Sequence, residues 1–345
     1  MKTTRTLRFL SLLALTCSTL IGVSLASADS TNKSVKSETA SFWTAKRISE
    51  AIAFEMVFEN GSKVAKRVPV TKAAGKPGGG GGGSSVLGSP WLFGGDPLTA
   101  SGKVFFTFNG SAFYQCSGSL VDDESADYSI VLTAGHCLFE HADGNGDGIG
   151  DGFYAQRWIF VPSYFLDQVL ISGCEDSPNC WTASSLKAHP SYRNQTDFTS
   201  IATHFDWGFA KITEKKNNKL PDELGDGSNS FPINFSTTLS RKSVASAFGY
   251  PADGKYNGRD LVFSRGSVSY DSWNSNKTYA LASDMTGGSS GGPWLSDMGS
   301  APSYSGTLRS VNSYKYGTTN FMYGPKFSSA TQATFNEAKS AITNP

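Results

Sequence analysis

Gly287-Gly288-Ser289-Ser290-Gly291-Gly292-Pro293-Trp294 is the stretch on which the reading of this chain turns. Glycines on both sides of a serine permit the tight turn that presents its hydroxyl, and they let backbone N–H groups converge on one point. That is what a nucleophile loop requires. Ser290 is the candidate nucleophile, and the N–H groups of Gly288 and Ser290 are the candidate oxyanion hole. A serine hydroxyl is a weak nucleophile alone, so a base and a group to orient that base are sought elsewhere in the chain.

Two segments supply them. Thr133-Ala134-Gly135-His136-Cys137 follows an apolar run, Ser129-Ile130-Val131-Leu132, and places one of only four histidines at a strand end beside a cysteine. Asp206-Trp207-Gly208-Phe209-Ala210-Lys211-Ile212 opens a second apolar strand with a carboxylate. A buried carboxylate there can hold one imidazole nitrogen in the required tautomer. Each segment alone fits an ordinary loop histidine or an edge-strand aspartate; together with the serine loop they are far more specific.

The order His, Asp, Ser and the motifs themselves resemble the chymotrypsin-like serine peptidases, and within them the secreted bacterial glutamyl-endopeptidase-like branch. The resemblance rests on Cys116-Ser117-Gly118-Ser119-Leu120, Thr133–Cys137, Asp206–Ala210, Gly288–Pro293, Phe248-Gly249-Tyr250-Pro251 and Asn312-Ser313-Tyr314, and spans about Gly102 to Ala338. It implies an all-β fold of two antiparallel six-stranded β-barrels with a C-terminal helix. It also implies a catalytic triad of His136, Asp206 and Ser290 working through an acyl-enzyme on protein or peptide substrates. The α/β-hydrolases order their triad Ser, Asp, His, which excludes an esterase of that kind.

The substrate pocket is ambiguous in the sequence. Asp284 lies six residues before Ser290, where trypsin-like members of the family place an acid that selects Lys or Arg. Ser313, Tyr314 and Lys315 are the other candidate pocket residues; Lys315 falls near the pocket mouth, to pair with Asp284 or to attract an acidic substrate side chain. Ser289 stands where the digestive enzymes carry an aspartate that pairs with the new N-terminus, and there is no Ile-Val-Gly-Gly start. The activation switch of trypsin is therefore not expected; propeptide removal would act by unblocking the cleft or through another contact.

The rest of the chain bounds the context. Lys2, Arg5 and Arg8, an apolar run from Phe9 to Leu25 and Ala26-Ser27-Ala28 read as a signal peptide, residues 1–28. The apolar run is broken by Ser11, Thr16 and Ser18 and is too short for a membrane span. Residues 29–85 read as a propeptide and glycine-rich linker, with six successive glycines at Gly78–Gly83, candidate cuts at Lys66-Arg67 and near Lys76, and a helix expected near Thr44 to Met56. Residues 86–345 are the expected peptidase domain, closed by a helix over Ser329 to Ile342.

Residues 29–76 hold nine basic and five acidic residues, a net +4, whereas residues 77–345 hold eighteen and twenty-four, a net −6. An acidic domain without a basic stripe excludes nucleic acid as the expected partner. A secreted monomer without membrane attachment is expected.

After signal removal four cysteines remain. The short Cys174–Cys180 loop suggests a local bridge, which leaves Cys116 with Cys137. No paired CxxC pattern favours zinc. Asp143-Gly144-Asn145-Gly146-Asp147-Gly148-Ile149-Gly150-Asp151 begins like an EF-hand loop, but Tyr154 occupies the closing position and excludes a full one. A shortened structural calcium loop on Asp143, Asn145, Asp147 and Asp151 is the binding reading, and a solvated acidic loop the bland one. Catalysis itself is expected to need no cofactor. The alternative to an enzyme is a catalytically silent homologue that binds protein through the same cleft.

Overall fold

Ser101–Thr107 and Ser129–Thr133 are buried at every position, around the apolar runs Val104-Phe105-Phe106 and Ile130-Val131-Leu132. In the computed structural model, which describes residues 35–59, 62–69, 85–164, 169–224, 229–317 and 319–342, both lie in one antiparallel sheet. Its order is Trp181–Thr182, Gln156–Pro162, Ser101–Thr107, Phe113–Val121, Ser129–Thr133, Gly208–Ile212 and Ser185–Ala188. The strands Phe113–Val121 and Ser129–Thr133 pair with Ser119 opposite Leu132 and Val121 opposite Ile130. The Asn109-Gly110 turn joins the two longest neighbours. The Asn109 side chain accepts from the amides of Ser111 and Ala112, and Gly110 takes φ +76°, a backbone region that costs a glycine nothing.

The second half carries a five-stranded sheet ordered Thr307–Val311, Pro293–Ser296, Val244–Gly249, Val262–Ser267 and Val86–Pro90. A three-stranded sheet of Ser269–Tyr270, Thr278–Ala282 and Phe321–Pro325 completes it. The all-β, antiparallel architecture with a closing helix is thus the one expected. The helix runs Ser329–Ser340 and begins with reciprocal capping: Ser328 Oγ accepts from the Ala330 amide, and Thr331 Oγ1 accepts from the Ser328 amide. At its other end the nearly buried Lys211 ammonium donates to the carbonyls of Lys339 and Ala341, at 2.7 and 2.8 Å. A cation there meets the negative end of the helix dipole. Phe335 packs on Phe209, with centroids 5.3 Å apart. The helix therefore braces the strand that begins just after Asp206.

Both cysteine pairs form bridges, Cys116–Cys137 and Cys174–Cys180. The helix expected near Thr44 to Met56 is shorter. It spans Ala45–Glu50, and Ile52–Phe58 is a strand. Its alternation of Phe54, Met56 and Phe58 on one face and Ala53, Glu55 and Val57 on the other suits a strand, and three other strands pair with it. Residues 35–42 are also helical. The signal peptide, the Gly78–Gly83 run and the Lys76 cut lie outside the described residues. Among the described residues no helix is long and apolar enough to cross a membrane.

One buried acid makes the fold sensitive to pH. Asp123 accepts from the amides of Ser125 and Ile130, at 2.9 and 2.7 Å, yet burial first, and the neighbouring Asp222 carboxylate, push its pKa up to about 7. The folded chain then holds a proton that the unfolded chain releases near pH 4. Stability from this group is full at low pH and falls as pH rises from about 4 to 7. The expected outcome is a larger loss of thermal stability in the wild type than in Asp123→Asn between pH 4.5 and pH 8. Equal pH dependence in the two proteins, measured by calorimetry, would remove Asp123 from this account.

Candidate active site

His136 sits in the single turn Gly135–Cys137 that follows strand Ser129–Thr133. The turn is held from both sides: Cys137 is bridged to Cys116 on the adjacent strand, and Trp158 Nε1 donates to the Cys137 carbonyl at 3.2 Å. Asp206 then fixes the ring. Its Oδ1 accepts from the His136 amide and its Oδ2 lies against His136 Nδ1, both at 2.9 Å. With Nδ1–H committed to the carboxylate, the lone pair is on Nε2, which is buried and has no hydrogen-bond partner among the described residues.

Asp206 is fully buried and takes a third donor, Ser313 Oγ, at 2.5 Å. Ser313 had been expected in the pocket, and the structure gives its hydroxyl to the carboxylate as well. The other three histidines are engaged elsewhere. His141 Nε2 contacts the Tyr192 carbonyl, His189 Nδ1 accepts from the Ser191 amide, and His204 Nε2 contacts Asn274 Oδ1. Burial pulls all three below the usual imidazole range.

The serine loop is fixed by a separate set of bonds. Ser289 Oγ donates to the Thr286 carbonyl at 2.7 Å, Gly292 N–H to the Ser289 carbonyl, and Gly291 N–H to the Asn312 carbonyl. The Asn312 side-chain Nδ2 donates to the carbonyls of Phe248 and Ser289, while its Oδ1 accepts from Trp294 Nε1. Gly291 has φ +79°, and a Cβ there would collide with Thr133 Oγ1 and the Ser117 carbonyl. The serine loop thus packs directly on the segment that leads to His136. Among the described residues, neither the Gly288 N–H nor the Ser290 N–H donates a hydrogen bond.

Ser117, within the Cys116–Leu120 motif, holds the serine loop from the other strand. Its amide donates to the Ser290 carbonyl at 2.7 Å and its hydroxyl to the Gly288 carbonyl at 2.8 Å. It also accepts from the Tyr250 amide. No local pattern distinguishes this serine from Ser119, two residues on, whose hydroxyl has no hydrogen-bond partner among the described residues.

The pocket residues separate. Ser313, Tyr314 and Lys315 line a recess beside Ser290, together with Thr286, Ser289 and Met322. Asp284 is not among the lining residues. Its Oδ2 accepts from Lys255 Nζ at 2.7 Å, its Oδ1 accepts from the Tyr256 hydroxyl, and its amide donates to the Leu87 carbonyl. It is neutralised locally and tied to strand Val86–Pro90. Lys315 does not pair with it; Lys315 Nζ is 3.5 Å from Glu55 Oε1. Glu55 and Met56, from the segment ahead of the linker, also line the recess.

The Asp-rich loop is exposed and satisfies its own backbone. Asp143 accepts from the amides of Gly146 and Gly148, Asp147 from that of Ile149, and Asp151 from that of Gly144, while Asn145 donates to Asp147. Its carboxylates are turned onto amides and are not gathered on one point. The ligand-type atoms that do gather among the described residues belong to Cys116, His136 and Cys137, which are a disulfide and the histidine of the site.

No family model matches the chain, and no curated protein matches it. Solved structures do. A thermostable serine protease, AL20, from an extremophilic microorganism is 33% identical, with a TM-score of 0.56 over 71% of this chain and 99% of that one. The protease Anisep from Arthrobacter nicotinovorans is also 33% identical, with a TM-score of 0.55 over 74% of this chain and 100% of that one. Identity of this extent over nearly the whole of both relatives, on the same antiparallel scaffold, makes the chain a member of the chymotrypsin-like serine proteases.

Proposed function

We propose that the protein is a secreted serine endopeptidase in which Ser290, His136 and Asp206 form the triad. The observation that carries the reading is the buried His136–Asp206 pair, whose two hydrogen bonds leave Nε2 as a free base. In the reaction Ser290 Oγ attacks the scissile carbonyl carbon and its proton passes to His136 Nε2. Asp206 stabilises the imidazolium, and the free N–H groups of Gly288 and Ser290 receive the oxyanion. Collapse expels the amine with the proton from His136 and leaves an acyl-Ser290. A water molecule, deprotonated by the same nitrogen, then releases the acid. Each step uses protein groups. The exposed Asp143–Asp151 loop has no part in the chemistry, and calcium bound there would act on stability alone.

Export is supported by the basic-then-apolar start of the chain and by two disulfides, which persist in oxidising compartments. For specificity we favour an acidic substrate side chain. Asp284 is already paired with Lys255 and Tyr256, and Lys315 is the cation that lines the recess beside Ser290.

Three outcomes are expected. Ser290→Ala abolishes cutting of a peptide library while the thermal transition is retained; retained cutting would refute the triad. Library cuts from the activated wild type, read by mass spectrometry, fall after Glu or Asp, and Lys315→Ala lowers kcat/KM on those substrates about tenfold or more. Cuts after Lys or Arg would return Asp284 to the pocket. Ser313→Ala, which removes one donor from Asp206, lowers kcat with little change in KM, by about tenfold on the scale of one hydrogen bond to a charged group. A change confined to KM would place Ser313 in substrate binding alone.

A further inference from the structure

Strand Ile52–Phe58 lies in the cleft that a substrate would use. Its first residues pair in parallel with the His136 half of the molecule, Ile52 with Tyr114 and Ala53 with Gln115. Its last pair in parallel with the other half, Val57 with Lys315 and Phe58 with Tyr316. Between these ends the side chains cover both catalytic candidates. Phe54 stands edge-on to the His136 ring, with centroids 5.6 Å apart. Met56 lines the recess beside Ser290 and the adjoining one beside His136, and Glu55 enters the Ser290 recess against Lys315. His136 and Ser290 are only 1% and 6% exposed as a result of this covering and their own loops.

The strand is anchored well beyond the cleft. It forms a hairpin with Lys66–Pro69, which sets Met56 opposite Arg67. Arg67 makes a two-pronged ion pair with Glu140, at 3.2 and 2.5 Å, and its guanidinium lies 4.6 Å from the centroid of the Phe54 ring. Upstream, Trp43 is fully buried against Phe105 and Phe113, and its carbonyl accepts from the Cys174 amide. The Ala51 carbonyl accepts from Gln115 Nε2. None of these contacts depends on the chain being continuous through residues 70–84.

We propose that the segment formed by residues 43–59 and 62–69 is a built-in inhibitor that fills the substrate cleft, latched by Glu55 on Lys315 and Arg67 on Glu140. The segment stays in place after the linker is cut, so scission within residues 70–84 does not by itself activate the enzyme. Activity appears when the segment dissociates or is degraded by another protease. Lys66-Arg67, a candidate cut in the sequence, is protected in this state because Arg67 is engaged with Glu140. The inference rests on the peptidase reading above.

The test uses the full chain and a fluorophosphonate probe, which reports an accessible, activated serine. Wild type, Glu55→Ala/Arg67→Met and a Ser290→Ala control are compared. A further form of the wild-type segment carries a recognition sequence for a foreign protease in place of Gly78–Gly83, and its folding does not depend on any weakened contact. Expected results are slow labelling of the wild type, labelling about tenfold or more faster in the double variant, and no labelling of the control. After the foreign protease cuts the linker, the N-terminal fragment co-elutes on gel filtration and labelling stays slow. The proposal is overturned if the uncut wild type labels as fast as the double variant. It is equally overturned if linker cutting alone gives full labelling, or if the enzyme cuts its own strand Ile52–Phe58. Labelling in no form at all, including after the segment is digested away, would instead bring down the peptidase reading and this inference with it.

Discussion

The carboxylate of Asp206 is the point on which the site depends. A fully buried carboxylate is costly unless its oxygens are given donors, and here three converge: the amide and ring of His136 and the hydroxyl of Ser313. The two His136 bonds come from one half of the molecule and the Ser313 bond from the other. The group that sets the imidazole tautomer therefore also ties the halves together at the cleft. The cost of leaving any of these donors unpaired is what keeps the geometry fixed.

Strand Phe113–Val121 carries that geometry outward. Cys116 bridges to the residue after His136, and Ser117 holds the carbonyls of Gly288 and Ser290. One residue earlier, Gln115 pairs with the strand that covers the cleft. Three consecutive positions of a single strand thus set the His136 turn, the Ser290 loop and strand Ile52–Phe58 relative to one another. A change of register there would displace all three, because a one-residue slip turns every side chain to the opposite face.

What the sequence revealed and what it hid divide along the range of the interactions. The serine loop, the histidine turn and the Asp206 strand are local patterns, each with a glycine, cysteine or apolar run that announces its backbone, and the structure brings His136 and Asp206 together as those patterns imply. The same holds for the C-terminal helix. Asp284 and Lys315 could not be separated in sequence. Their charges are settled by Lys255, Tyr256 and Glu55, which are remote along the chain. Ile52–Phe58 was hidden for the same reason. The residues just before it form a helix, and besides the nearby Lys66–Pro69 hairpin partner the strands that fix it lie far downstream. Local propensity yields to such long-range pairing wherever a segment completes a sheet edge.

The serine loop also shows what kind of control the fold allows. Ser289 occupies the place where related digestive enzymes carry an aspartate, and its hydroxyl is already satisfied by the Thr286 carbonyl. Gly291 and Gly292 are bonded to Asn312 and Ser289, and Asn312 is itself held by Trp294. A loop with these bonds already made while the covering segment is in place does not need a new chain terminus to order it. A switch that waits for such a terminus has nothing left to move. A strand that adds to both halves at once, with Phe54 against His136 and with Glu55 and Met56 in the Ser290 recess, bears instead on access to a loop whose backbone is already ordered.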